Sequence, residues 1–141
     1  MTQQEKAEEI VDAFEMFDNW EDRYRFLIDL GKKLTPLPEG AKNEENRVHG
    51  CQSNVWMIAE PSQEDSETKI EFIADSDSTI VRGLIAILHN VYSGETPRDI
   101  LNFDIDGLMT RLGLDQHLSL GRRNGLAGMV TKVKTLATQL A

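Results

Sequence analysis

The 141-residue chain contains a single cysteine, Cys51. An internal disulfide framework is therefore excluded, as is a zinc or iron–sulfur site built from several cysteines of one chain. Long apolar runs are also missing. Runs such as Leu84 to Leu88 fall far short of the ~20 residues that cross a bilayer. Met1 to Glu9 is polar and acidic, without the basic region and apolar core of a signal peptide. These absences predict a soluble, cytoplasmic protein with no membrane partner. Positive charge is scarce: the net charge is -9, which argues against a nucleic-acid partner. No phosphate-binding Walker loop, dinucleotide glycine fingerprint, zinc-ligand spacing or nucleophile elbow occurs. No self-sufficient catalytic constellation is visible, and no repeat or linker divides the chain.

What is present fits one compact domain spanning 1–141, of ordinary globular composition. The charge is uneven, with -11 in residues 1–77 and +2 in the remainder. Solvated helix faces account for such a bias, and an acidic surface also steers basic protein partners.

Ala7, Ile10, Val11, Phe14 and Phe17 recur at helical spacing. Asn19 is placed to cap a second helix, with Trp20, Tyr24, Leu27, Ile28 and Leu34 as its stripe and Pro36 and Pro38 beyond its end. After a polar stretch, Val55, Met57 and Ala59 alternate with Trp56 and Ile58, and Ile70, Phe72 and Ala74 alternate with polar neighbours. This predicts an antiparallel hairpin whose strands are joined by the polar stretch Pro61 to Thr68, suited to a turn, and Asn46 to His49 as a short third strand. Asp75, Ser76, Asp77 and Ser78 offer caps for a strongly apolar third helix, Ile80 to Val91, lying on the sheet. Thr96-Pro97 opens a short helix. Another spans Asp104 to Leu112 and ends at Gly113, and Ser119 caps a last one with Leu126, Met129, Val130, Val133, Leu136 and Leu140 on its stripe. The predicted fold class is α+β: a small antiparallel β-sheet of about three strands with helices packed on it.

Cys51 lies in the polar, turn-like segment His49-Gly50-Cys51-Gln52-Ser53-Asn54. A lone cysteine is often a small buried apolar residue. Its position in a turn before a strand also suits a reactive thiol, whose thiolate would attack sulfur as in thiol–disulfide exchange, and composition and spacing leave both readings open. Arg122 and Arg123 fall in the first turn of the last helix, where cations oppose the helix dipole. Such a pair either serves an anion or sits solvated on the surface. Asp75 and Asp77 read most simply as helix-cap residues, and His49, His89 and His117 are too scattered for a metal site.

Several motifs, in order, carry a family resemblance. Gly50-Cys51-Gln52-Ser53-Asn54-Val55-Trp56 resembles the signature of the SufE family of sulfur-acceptor proteins. Asn19-Trp20-Glu21 with Tyr24, Asp75-Ser76-Asp77 with Ile80 to Ala86, Thr96 to Ile100 with Asn102-Phe103-Asp104, and Gln116-His117-Leu118-Ser119 with Arg122 and Gly125-Leu126 resemble further family segments. The resemblance covers nearly the whole chain. It implies a fold shared with IscU-type scaffolds. It also implies acceptance of sulfur, as a persulfide on Cys51, from a SufS-type cysteine desulfurase, and delivery to a SufBCD-type iron–sulfur cluster scaffold. Pyridoxal phosphate belongs to the desulfurase, and no cofactor or metal is expected on this chain. The implied role is that of a sulfur-transfer partner that stimulates the desulfurase rather than a stand-alone enzyme. Arg122 matches a family arginine, so it ranks above Arg123, as an aid to the thiolate or as part of the desulfurase interface. CsdE is a close relative that also uses one cysteine; Gln52-Ser53 favours the SufE branch. The competing roles are a non-covalent desulfurase activator, for which Cys51 is dispensable, and a cluster scaffold, which one cysteine serves poorly.

Overall fold

A computed structural model of the chain describes residues 1–50 and 53–141. The order of elements is α1 (Gln3–Glu15), α2 (Trp20–Gly31), a 3-10 turn (Glu39–Ala41), β1 (Val55–Glu64), β2 (Glu67–Ser76), α3 (Thr79–Tyr92), α4 (Pro97–Asn102), α5 (Ile105–Arg111), α6 (Leu114–His117) and α7 (Leu120–Leu140). The antiparallel sheet with helices packed on it agrees with the expected class.

The helix starts follow the sequence closely. Thr2 and Glu5 form a reciprocal capping box on α1. Asn19, Thr96 and Ser119 accept backbone N–H groups at the starts of α2, α4 and α7. α3 is apolar on most sides because it is surrounded: Val81, Leu84, Ile85, Ile87, Leu88 and Val91 are fully enclosed. It lies between β2 and the pair α1 and α2, with α7 on its flank. Val55, Met57, Ile70, Phe72 and Ala74 form the inner face of the sheet beneath it.

Two features of the hairpin differ from expectation. Its strands extend further, and the turn is only Asp65-Ser66, with φ of 52° and 67°. Two consecutive positive φ values match the tight turn whose twist suits paired strands. Pro61 is tolerated inside β1 because of the edge it faces. Val55 and Met57 bond outward to Val48 and Asn46, so alternate residues Ala59, Pro61 and Gln63 also face the outer edge. There a missing N–H breaks no bond to β2. The second difference is the third strand. Among the described residues it is reduced to a one-residue bridge, Arg47 opposite Trp56.

Helices α2 and α3 cross at two glycines. A Cβ on Gly83 would overlap the Leu27 carbonyl oxygen, and one on Gly31 would lie 2.8 Å from the Gly83 nitrogen. Only hydrogen fits between these backbones. At the other side, Glu8 of α1 holds Arg111 of α5 through two hydrogen bonds of 2.5 and 2.8 Å. The guanidinium keeps the Glu8 carboxyl at about 2, well below its usual range. Both side chains are nearly half exposed, so salt screens the pair.

Two outcomes are expected. Gly83→Ala gains ~1 kcal/mol of helix propensity, yet should destabilise the fold by about 1–3 kcal/mol net, since backbone must move aside. The urea midpoint measures this, and an unchanged or raised midpoint refutes the close crossing. For Glu8, the folded-state value is depressed, so its contribution is present above the unfolded carboxyl range near 4.5 and fades as pH falls towards 2. The stability gap between parent and Glu8→Gln should therefore be constant at neutral pH, shrink below pH 4.5 and close near pH 2.

Candidate functional site

The residues around position 51 are held by two clasps. On the near side, the Val48 N–H donates to the Val55 carbonyl at 2.8 Å, and the Met57 N–H donates to the Asn46 carbonyl at 2.8 Å. These bonds hold the described residues before and after positions 51 and 52 beside one another. On the far side, Asn54 is fixed by Asp77. The Asn54 N–H donates to Asp77 Oδ1 at 3.1 Å, its amide nitrogen donates to Oδ2 at 2.9 Å, and the Asp77 N–H returns a bond to the Asn54 carbonyl at 3.3 Å. Cys51 itself lies outside the described residues, as does Gln52. Their described neighbours are Gly50, exposed with φ of 93°, and the half-buried Ser53. That φ favours glycine.

Asp75 and Asp77 do not cap α3, in contrast to the reading from sequence. Ser78 does so, accepting the Val81 N–H. Asp77 is committed to Asn54. Asp75 lies 3.1 Å from Arg82 Nε and 3.4 Å from Lys42 Nζ. The Arg82 contact is an ion pair without hydrogen-bond alignment, for the buried Nε has no hydrogen-bond partner among the described residues. Lys42 also lies over the Trp56 ring, so the segment before the loop is pinned to the sheet.

Helix α7 supplies the floor of this end. A Cβ on Gly128 would lie 2.8 Å from Val48 Cγ1 and 3.3 Å from the His49 carbonyl oxygen, so the near clasp rests against the helix at a glycine. One turn further on, Lys132 Nζ donates to the Met57 carbonyl, and burial lowers the ammonium below the ordinary lysine range. At the far end of the hairpin, Glu67 and Thr68 line one pocket with Leu140. Strand β1 and helix α7 therefore run in the same direction. From the Lys132–Met57 contact back to Arg122 is about 15 Å of helix, at 1.5 Å per residue. From Met57 back to Val55, where β1 begins, is about 7 Å of strand, at 3.3 Å per residue. Arg122 and the described edge of the loop are thus brought to the same end of the molecule.

Arg122 is half-buried and Arg123 exposed. The start of α7 is positioned from below by Trp20, whose ring stacks on His117 with centroids 3.8 Å apart and planes 11° apart. Tyr24 donates its hydroxyl to the His117 carbonyl. Two segments that carried the family resemblance, around Trp20 and around His117, are therefore in contact. His49 is exposed, 3.3 Å from a Glu44 carboxylate oxygen. Among the described residues, no group of three potential ligands is gathered to hold a metal ion.

The described part of the candidate site thus comprises the clasped residues on either side of position 51 and the N-terminal end of α3, while Arg122 stands in the first turn of α7. Helix N-termini and a guanidinium all favour an anion. The Asn54–Asp77 clasp and the Gly128 seat were missed from sequence. A hairpin register counted outward from Asp65-Ser66 would have found the first, because it places Asn54 opposite Asp77.

With this geometry, the comparisons are decisive. A family model described as SufE, an Fe-S metabolism associated domain, matches residues 8–137. The chain belongs to the SufE family. An uncharacterized SufE-like protein of Rhizobium meliloti (strain 1021) is 39% identical over 130 residues, covering 92% of this chain and 93% of that protein. A second, from Rhizobium etli, is 41% identical over 127 residues, covering 90% of this chain and 86% of that protein. The solution structure of a hypothetical protein from Thermus thermophilus superposes with a TM-score of 0.73 over 96% of this chain and 95% of that one. At 21% identity it establishes the shared fold. No helix of the described SufE-family chain is long and apolar enough to cross a membrane.

The far clasp makes a local prediction. Asp77→Ala removes two acceptors from Asn54, each worth about 0.5–1.5 kcal/mol at most in so exposed a place. Hydrogen exchange should speed up in a peptide spanning 50–55 while the α3 core keeps its protection. Unchanged exchange in that peptide would show that the clasp does not hold the loop.

Proposed function

We propose that this chain accepts sulfur as a persulfide on Cys51, receives it from a pyridoxal-phosphate-dependent cysteine desulfurase of the SufS type, and passes it to a SufBCD-type cluster-assembly scaffold. The observation that carries the reading is the SufE family match across residues 8–137, which includes the only cysteine in the chain. Family membership supports a sulfur-transfer role, and a single thiol is the chemical minimum for it.

The transfer requires no external oxidant. The Cys51 thiolate attacks the outer sulfur of a persulfide on the desulfurase. A sulfur–sulfur bond forms at Cys51, the sulfur–sulfur bond of the donor breaks, and the donor cysteine leaves as a thiolate. The proton lost by Cys51 is balanced by the one the donor thiolate regains. An ordinary thiol with pKa about 8.5 is only ~3% thiolate at pH 7. Arg122 and the two helix N-termini at this end of the molecule favour the anion and raise that fraction. Pyridoxal phosphate acts on the partner, where it releases sulfur from free cysteine.

The test is an intact mass, taken without reductant after incubation with cysteine, pyridoxal phosphate and the desulfurase. A reducible gain of about 32 Da, one sulfur atom, is expected on the parent and not on Cys51→Ser. Stimulation of the desulfurase by Cys51→Ser at the parent's level, with no mass gain on either, would replace the sulfur acceptor with a non-covalent activator.

A further inference from the structure

In the register of the hairpin, Met57 stands opposite Ala74. Met57 bonds away from β2, to Asn46, so this pair exchanges no hydrogen bonds, and the N–H and C=O of Ala74 point out of the other edge of the sheet. Neighbours along that edge are served. The Ile70 N–H donates to the Glu95 carbonyl and the Ile70 carbonyl accepts from Gly94, the Phe72 N–H donates to Ser93 Oγ, and the Ser76 N–H donates to Asp75 Oδ1. Ala74 is only 3% exposed, yet its N–H and C=O have no hydrogen-bond partner among the described residues. Buried main-chain groups are nearly always paired, so an open donor and acceptor on one buried residue call for a ligand or water. Ala74 lines a cavity of 80 Å³, walled by Lys33, Leu34 and Thr35 after α2 and by Ile85 and His89 of α3. Lys33, Leu34 and His89 also line a second cavity of 370 Å³ between α1, α2 and α3, whose apolar lining includes Ile10, Ala13, Phe26, Leu30 and Ile87. The two cavities adjoin along those three shared residues.

The walls select the chemistry of a ligand. The Ala74 N–H calls for an acceptor, and a cation beside it makes a carboxylate the stronger one. Lys33 supplies that cation: its ammonium is exposed and has no carboxylate partner among the described residues, whereas Lys32 next to it is paired with Asp29 at 3.5 Å. The Ala74 C=O calls for a donor close to the same carboxylate. In an antiparallel ladder one residue meets another through its own N–H and C=O. A free amino acid carries the same two functions on one α-carbon, as an ammonium donor and a carboxylate acceptor, and both are charged. The inner cavity is small, which suits one such head group rather than a passing strand. The outer cavity is of the size and apolar character of small-ligand sites, ~300–1,000 Å³, and takes an apolar side chain.

We infer that the adjoining cavities form a binding site for a free α-amino acid with a large apolar side chain. Its carboxylate accepts from the Ala74 N–H and faces Lys33, its ammonium donates to the Ala74 C=O, and its side chain turns into the space between α1 and α2. The site uses neither Cys51 nor Arg122, so it stands apart from the sulfur-acceptor reading.

The test follows the backbone amide resonances of the isotope-labelled full chain by NMR as leucine is added. Three probes each lack one part of it: isocaproate has no ammonium, leucinamide no carboxylate and glycine no side chain. Leucine should move the Ala74 amide and those of Lys33 to Thr35 saturably, with a Kd of about 1 mM or tighter. Each of the three probes should bind about tenfold or more weakly, in the range of one lost charged hydrogen bond or apolar anchor. Lys33→Ala, at an exposed position, should weaken leucine by a similar factor while its urea midpoint matches the parent's. No saturable movement of the Ala74 amide at about 10 mM leucine would overturn the site and leave water as the partner of Ala74. Isocaproate or leucinamide bound within twofold of leucine would overturn the amino acid as the ligand, the first by dispensing with the ammonium and the second by dispensing with the carboxylate. Lys33→Ala bound by leucine within twofold of the parent would overturn the placement of the carboxylate and the site with it.

Discussion

The contact between the backbones of α2 and α3 sets the geometry of everything above it. At Gly31 and Gly83 there is no space for a side chain on either helix. Close approach at one point fixes the depth of α3 in the molecule, and the enclosed residues along α3 then fill the space against the sheet. Interiors pack at crystal-like density, so a helix displaced outward at its crossing would open gaps along its whole length. The start of α3 follows from the same contact. Ser78 caps it, Asp77 precedes the cap, and Asn54 is tied to Asp77. A steric limit between two helices is thus transmitted, through one hydrogen-bonded pair, to Asn54, three residues after the only cysteine in the sequence.

Much of this architecture was legible in the sequence because local rules and tertiary packing agree. The apolar spacing of α3, the caps at Asn19, Thr96 and Ser119, and the left-handed Gly113 after α5 all have local causes. The hairpin was located by alternation, but its turn was not. Asp65 and Ser66 both take positive φ, a conformation that neither strongly favours, and Pro61 resembled a strand end until its outward-facing edge was known. The third strand was read from a few residues whose pairing shrinks to one bridge. Asp75 and Asp77 looked like caps because acidic residues before a helix usually are. Their actual partners, Lys42, Arg82 and Asn54, are set by strand register and tertiary position.

The site shows the same division. Cys51 was singled out by its scarcity and its polar setting, Arg122 and Arg123 by their unfavourable place at a helix start, and Arg122 ahead of Arg123 by the family resemblance alone. What brings Arg122 and the loop edge to one end of the molecule is the shared direction of β1 and α7, which no local pattern encodes. That direction depends on contacts separated by many residues: Gly128 with Val48, and Lys132 with Met57. The family motifs reflect it indirectly. The stack of Trp20 on His117 joins two of them, so part of what makes the sequence recognisable is the set of residues that orient α7.

Pro61 has a consequence for how copies of the chain behave towards one another. A two-stranded hairpin leaves strand backbone exposed along its margin, and an exposed margin is a template for the same strand in a neighbouring molecule. Along the outer margin of β1, the missing N–H at Pro61 interrupts the ladder that such a neighbour would need, and Glu60 and Glu64 bring like charges together if two copies approach. That margin of the hairpin is thereby a poor template for the same strand of a second copy.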